Sequence, residues 1–183
     1  MRWLAYFILV YIVLGVQLGI GAHVRLGGAV PNLVLLAAIF VAINAPRDAA
    51  LLGCFAMGLM QDMLTTHTLG LYALSYGLVG LLITSSQQVV FREHPIAHAM
   101  LGLAGATMTS LILLVHGWIH PPGPSVIIDG QAAPAVRVSS AVLFYGTIYT
   151  TLLAPVMLGL LQRIRGLFAF EPQRRSRVPM FAR

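Results

Sequence analysis

The sequence predicts an all-α integral membrane protein, a polytopic bundle of six transmembrane helices of which one is short. Three observations carry this. Hydrophobic residues make up 58% of the 183-residue chain and charged residues only 9%, whereas soluble domains average about 25% charged. The apolar residues fall into runs of helical length separated by polar breaks. Arginines, 11 in all and with no lysine among them, are spread unevenly over alternate breaks. Such a chain has too little polar surface to cover a water-exposed domain.

Residues 3–22 form the first run. Their 20 residues reach about 30 Å, one hydrocarbon thickness. A signal peptide has an apolar core of about 7–15 residues, so this segment is expected to remain as a helix. Gly15 and Gly19, four apart, offer a surface that a neighbouring helix could approach closely. The second run opens at Pro31, read as the first helical position, and ends at Asn44. At about 21 Å it is short of a full span, so it is either a partial helix packed inside the bundle or is extended by its flanks.

Asp48 is expected to cap the third helix, which runs to about Leu64. A polar hinge, Thr65 to Thr68, leads into a fourth helix from about Leu69 to Ser86. Gly53 and Gly58 are five apart and do not share a narrow stripe, whereas Gly58 and Asp62 do share a face. Ser75, Gly77 and Gly80 give the fourth helix a small-residue surface. The row Met57, Met60, Met63 reads as bundle packing. The fifth helix covers about Pro95 to His116 and the sixth about Ser140 to Leu161, with a kink expected at Pro155. Between them lies the longest non-helical stretch, 117–139, rich in proline and containing a candidate extended segment, V-I-I-D. Residues 1–170 are thus expected to form one membrane domain and 171–183 an arginine-rich cytoplasmic tail. That tail serves either as a topology determinant or to hold anionic lipid or a cytoplasmic partner.

Six spans put both termini on one side. That side holds nine arginines (Arg2, Arg47, Arg92, Arg163, Arg165, Arg174, Arg175, Arg177 and Arg183) and the other two, Arg25 and Arg137. The excess places both termini in the cytoplasm. The arginines do not cluster with aromatics on a soluble module, so no nucleic-acid partner is expected despite a pI near 10.3. One cysteine, Cys54, excludes an internal disulfide framework.

Signals for catalysis are absent. No nucleophile elbow, phosphate loop or dinucleotide glycine pattern occurs. Zinc-protease helices need a glutamate between two histidines, whereas Glu93 precedes His94 and His98 and Pro95 separates them. His116 and His120 flank Trp118 at the expected outer boundary. No metal, cofactor or catalytic residue is assigned. Asp62 stands out as the one acid inside an apolar run, and three roles are open to it. It could reach water at the helix end beside Thr65 and Thr66, hold a helix–helix contact by hydrogen bonding, or bind a ligand or proton.

One pattern goes further. Pro31-Asn32-Leu33 opens the short helix, Gly53 precedes Gly58-Leu59 and Asp62, and Leu69-Gly70-Leu71-Tyr72-Ala73-Leu74 follows the hinge. This order resembles the rod shape-determining protein MreD family over residues 31 to about 82. The resemblance implies a non-enzymatic inner-membrane subunit of the cell-elongation complex that scaffolds MreC and the peptidoglycan synthase and so maintains cell shape. It implies as partners MreC, the MreB filament and the synthase pair, RodA with a penicillin-binding transpeptidase, reached directly or indirectly, together with membrane lipid. It also implies a fold similar to the substrate-binding subunits of energy-coupling-factor transporters. Pro31, Asn32, Gly58, Asp62 and Gly70 match the family pattern and, with Gly53 and Tyr72, are the expected partner or helix-packing contacts. Many relatives carry aspartate at the position of Asn32. The alternative is a vitamin-type binding subunit of a transporter, with a polar pocket lined by Asp62, Asn32, Ser75 and Tyr76. An intramembrane enzyme would need a second acid or a nucleophile facing Asp62.

Overall fold

The second apolar run forms the shortest helix and the most enclosed one. In the computed structural model, which describes residues 3–21, 28–65, 69–86, 95–120, 127–128, 131–132, 139–163 and 166, this helix is α2, Leu33–Asn44, preceded by α1, Trp3–Gly21. Then come α3, Arg47–Leu64, α4, Leu71–Ser86, α5, Pro95–Ile119, and α6, Ser140–Arg163. Between α5 and α6, β1, Ile127–Ile128, pairs antiparallel with β2, Gln131–Ala132, so the extended segment expected there exists as a two-residue ladder. Arg25, Thr66, His67, Arg92, Glu93, His94, Arg137 and the arginine-rich tail lie outside the described residues.

α2 has 12 residues and is apolar on every side. A helix of that kind has no solvent face and must be enclosed. Leu33 to Ile43 are all buried, against α1, α3, α4, α5 and α6. At about 18 Å it is a partial helix inside the bundle, the first of the two options its length left open. Pro31 is not its first residue: Asn32 caps the helix, and the proline lies outside it. Asp48 does not cap α3 either. Pro46 occupies that position without a side-chain bond, and Asp48 sits in the first turn.

The outer helices pair antiparallel. α3 and α4 meet where Gly58 faces Ala73 and Cys54 faces Gly80. A Cβ at Gly58 would lie 2.5 Å from the Cα of Ala73 and closer still to the carbonyl oxygen of Tyr72. At Gly80 a Cβ would stand 2.9 Å from the Cys54 sulfur. α5 and α6 meet at Gly102, where a Cβ would be 2.5 Å from that of Ala154, and at Ser110, 2.8 Å from the Thr147 hydroxyl. Gly53 faces elsewhere, toward Tyr6 of α1 and Val41 of α2, and its carbonyl accepts the Tyr6 hydroxyl at 2.7 Å. The five-residue spacing of Gly53 and Gly58 thus serves two different neighbours.

The outside is apolar. Leu4, Tyr11, Met63, Trp118, Leu152 and Val156 are all exposed. Among the described residues only Arg47, Asp48, Asp62 and Arg163 carry charge, and all but Asp62 are exposed at helix ends. A water-soluble monomer rarely leaves so large a continuous apolar exterior. α5 over Ile96–Ile119 and α6 are each long and apolar enough to cross a membrane. The methionine row divides: Met57 is fully buried, but Met60 is 38% and Met63 72% exposed, because three-residue steps drift around a 3.6-residue turn. Pro155 lies within α6, which continues through it to Arg163.

Where two backbones touch, a methyl group forces them apart; where a glycine faces open space, it does not. Gly58→Ala is expected to lower stability by about 3 kcal/mol. Gly159→Ala, with nothing within 4 Å of the new Cβ, is expected to be neutral or stabilising by up to about 1 kcal/mol. Thermal unfolding of both variants in detergent checks the contrast, and equal midpoints would contradict the close approach.

Candidate functional site

Asp62 is 1% exposed at the end of α3, one turn beyond Gly58. A carboxylate taken out of water needs a donor for each lone pair that it can no longer turn to solvent. The donors come from the start of α4. Oδ2 accepts the backbone N–H groups of Gly70 at 3.0 Å and Ala73 at 2.9 Å, and Oδ1 accepts that of Tyr72 at 2.9 Å. The first four N–H groups of any helix lack partners within it. Asp62 takes three of the four here, so it is the cap of α4, supplied from α3.

Gly70 explains why the cap is borrowed. It occupies the N-cap position, where its carbonyl accepts the Leu74 N–H at 2.9 Å, but it has no side chain. Its φ of +97° is the left-handed conformation that turns the chain back onto α3. Gly58 completes the arrangement by letting the first turn of α4 lie against α3. The partial positive charge at a helix N-terminus adds attraction for the carboxylate. Of the three roles open to Asp62, this is the helix–helix hydrogen-bonding one. The Thr65 hydroxyl donates instead to the Asp62 backbone carbonyl, at 3.4 Å.

A second capping cluster holds the start of α2. This end lies within the bundle, where an orphan N–H has no water to turn to. Leu33 N–H donates to Gln17 Oε1 at 2.7 Å, Leu35 N–H to Asn32 Oδ1 at 3.0 Å, and Asn32 N–H to the Thr150 hydroxyl at 3.0 Å. Gln17 Nε2 in turn donates to the Pro31 carbonyl at 3.0 Å. Four helices meet here, because the Tyr76 hydroxyl of α4 also donates to Asn32 Oδ1 at 2.9 Å. The Tyr72 ring lies edge-on to Tyr76, centroids 5.8 Å apart, and ties the two clusters together.

Asn32, Gly58, Asp62, Gly70 and Tyr72 therefore come together at one end of the bundle. Pro31 adjoins them through Gln17. Gly53 does not join them; it packs against α1 and α2. The pocket imagined for a transporter is differently placed. Both oxygens of Asp62 are committed to backbone, the Ser75 hydroxyl donates to the Leu71 carbonyl at 2.7 Å, and Tyr76 is spent on Asn32. Sequence reasoning missed Gln17 and Thr150. Each is a polar residue inside an apolar run, which is a signal of partnership, but nothing local names the partner.

His98 is buried and bonded to Gln162 at 2.8 Å, which joins the start of α5 to the end of α6. His116 and His120 stack with centroids 4.7 Å apart. Among the described residues no three histidine, cysteine, aspartate or glutamate side chains converge as a metal site.

Helices with an apolar exterior, charge confined to their ends and buried polar groups used to hold helix to helix define an integral membrane protein. A family model for the rod shape-determining protein MreD matches residues 1–164, and the chain belongs to that family. No curated protein and no solved structure matches it.

Removing the carboxylate takes the acceptor from three N–H groups, that of Ala73 buried and those of Gly70 and Tyr72 part-buried. Asp62→Ala is expected to lower stability by about 3 kcal/mol or more, and Asp62→Asn by an intermediate amount, since its amide NH2 would face a donor. Chemical or thermal unfolding in detergent measures both. A fully stable Asp62→Ala variant would contradict the capping role.

Proposed function

We propose that this chain is a non-enzymatic, multi-pass scaffold of the cell-elongation complex in the bacterial inner membrane, with both termini cytoplasmic. In this role it holds MreC and the peptidoglycan synthase, RodA with a penicillin-binding transpeptidase, and reaches the MreB filament directly or indirectly. The carrying observation is membership of the MreD family over residues 1–164. The use of Asp62 supports the non-enzymatic part, since its two oxygens already hold the backbone of α4. The arginine imbalance, nine against two, supports the orientation. Residues 1–170 act as the membrane domain, and 171–183 as the basic tail that fixes topology.

For partner docking the most suitable face is the outer stripe of α1. Its inner face packs on α2 and, through Tyr6, on α3. Leu4, Ile8, Tyr11 and Ile12 are exposed along the other side, and a Cβ at Gly15 or Gly19 would meet nothing within 4 Å. Among the described residues nothing lies within 4 Å of a Cβ at Gly15, which suits the close approach of a single helix from a partner.

Co-purification from membranes tests the role. MreC or the wall synthase is expected with the native chain, and recovery is expected to fall at least several-fold with Gly15→Leu plus Gly19→Leu at unchanged thermal stability. If neither partner accompanies the native chain, the scaffold role fails; if the double variant retains them fully, α1 is not the docking face. A green fluorescent reporter fused after Arg183 is expected to fluoresce, whereas a phosphatase active there only outside the cytoplasm would reverse the orientation.

A further inference from the structure

A short helix in a bundle of long ones leaves space beyond its end. Asn32, at the start of α2, is level with Thr150, and α6 continues from there back to Ser140, about 15 Å further. In that space lies a cavity of about 200 Å³, lined among others by Asn32, Tyr72, Thr109, Ser110, Thr147 and Thr150. Most of the hydroxyls are occupied. Thr147 and Thr150 donate to the carbonyls of Leu143 and Gly146, as threonines in helices commonly do, and Ser110 pairs with Thr147. Thr109 is the exception: it is 3% exposed, yet its hydroxyl has no hydrogen-bond partner among the described residues. Buried hydroxyls left in that condition are costly and uncommon. Asn32 is bonded through Oδ1 and its backbone N–H, so Nδ2 takes part in none of these bonds.

We propose that this cavity binds an uncharged, hydroxyl-bearing group, with Thr109 and the Asn32 amide as its hydrogen-bonding contacts. Among the described residues no charged side chain lines the cavity. The N–H groups at the nearby starts of α2 and α4 are largely taken by Gln17, Asn32, Thr150 and Asp62, which leaves little to attract an anion. Benzene fills a cavity of about 150 Å³, so the space suits on the order of eight heavy atoms. A free small polyol and the glycerol end of a lipid headgroup share this chemistry. The site does not depend on the scaffold role, since its lining is distinct from the outer stripe of α1.

Two probes distinguish the sources, each applied to the full chain. Glycerol binding is read by saturation-transfer NMR on protein in a glycerol-free detergent. Retention of phosphatidylglycerol over phosphatidylcholine is read by native mass spectrometry after release from mixed nanodiscs. Gly146 lines the cavity, and the nearest atom to an added Cβ is 3.9 Å away, so Gly146→Leu fills the site. Signal with glycerol that is lost in Gly146→Leu identifies a free polyol site; selective lipid retention lost in the same variant identifies a headgroup site. Thr109→Val is expected to raise the unfolding midpoint, because it removes an unpartnered hydroxyl, and to weaken whichever probe binds about fivefold. Neither probe binding the native chain, signals that persist in Gly146→Leu, or a Thr109→Val variant that is less stable or binds equally well would each overturn the proposal.

Discussion

The bond set between the Asp62 carboxylate and the first turn of α4 is the constraint on which the rest of the structure depends. A carboxylate removed from water loses several kcal/mol of solvation. Three bonds from backbone N–H groups, at about 1.5–3 kcal/mol each for a charged acceptor, offset that loss. The same bonds satisfy a helix start that Gly70 cannot cap for itself. Each partner therefore removes the other's deficit, and neither is tolerable alone in an apolar bundle. Gly58 and Gly70 follow from this: one lets the backbones touch, the other turns the chain within reach.

The start of α2 repeats the solution with neutral groups. Gln17, Asn32 and Thr150 receive three of its first four N–H groups, and Tyr76 links that cluster to α4. A helix may begin inside a bundle only where its backbone is met in this way. The enclosed α2 then serves as the axis against which all five other helices pack. Its shortness also sets the position of the polar cavity described above. With most of the internal polar groups used to hold helix to helix, the outer apolar faces are the surface open to lipid and to other proteins.

Much of the architecture was legible in the sequence because it follows from length and composition. Six helices, the partial α2 and the shared face of Gly58 and Asp62 all rest on spacing within one segment. What spacing could not supply was the far partner. That Asp62 bonds backbone ten residues on, or that Asn32 meets Thr150 118 residues away, depends on how helices stack. Helix starts were misjudged for a related reason. Proline and aspartate at Pro31 and Asp48 are good local signals for a first turn, but a buried start is decided by which donors the neighbours can receive. Met63 and the Gly15–Gly19 pair face outward because a stripe of suitable residues does not say whether this chain or another covers it.

Hydrogen exchange of the full chain in nanodiscs, resolved over residues 69–76, tests the central claim most directly. The account predicts slow exchange of the Gly70, Tyr72 and Ala73 amides in the native chain and a marked acceleration confined to α4 and its contact with α3 in Asp62→Ala, with α5 and α6 still protected. Rapid exchange of those three amides in the native chain, or no change on removal of the carboxylate, would contradict it.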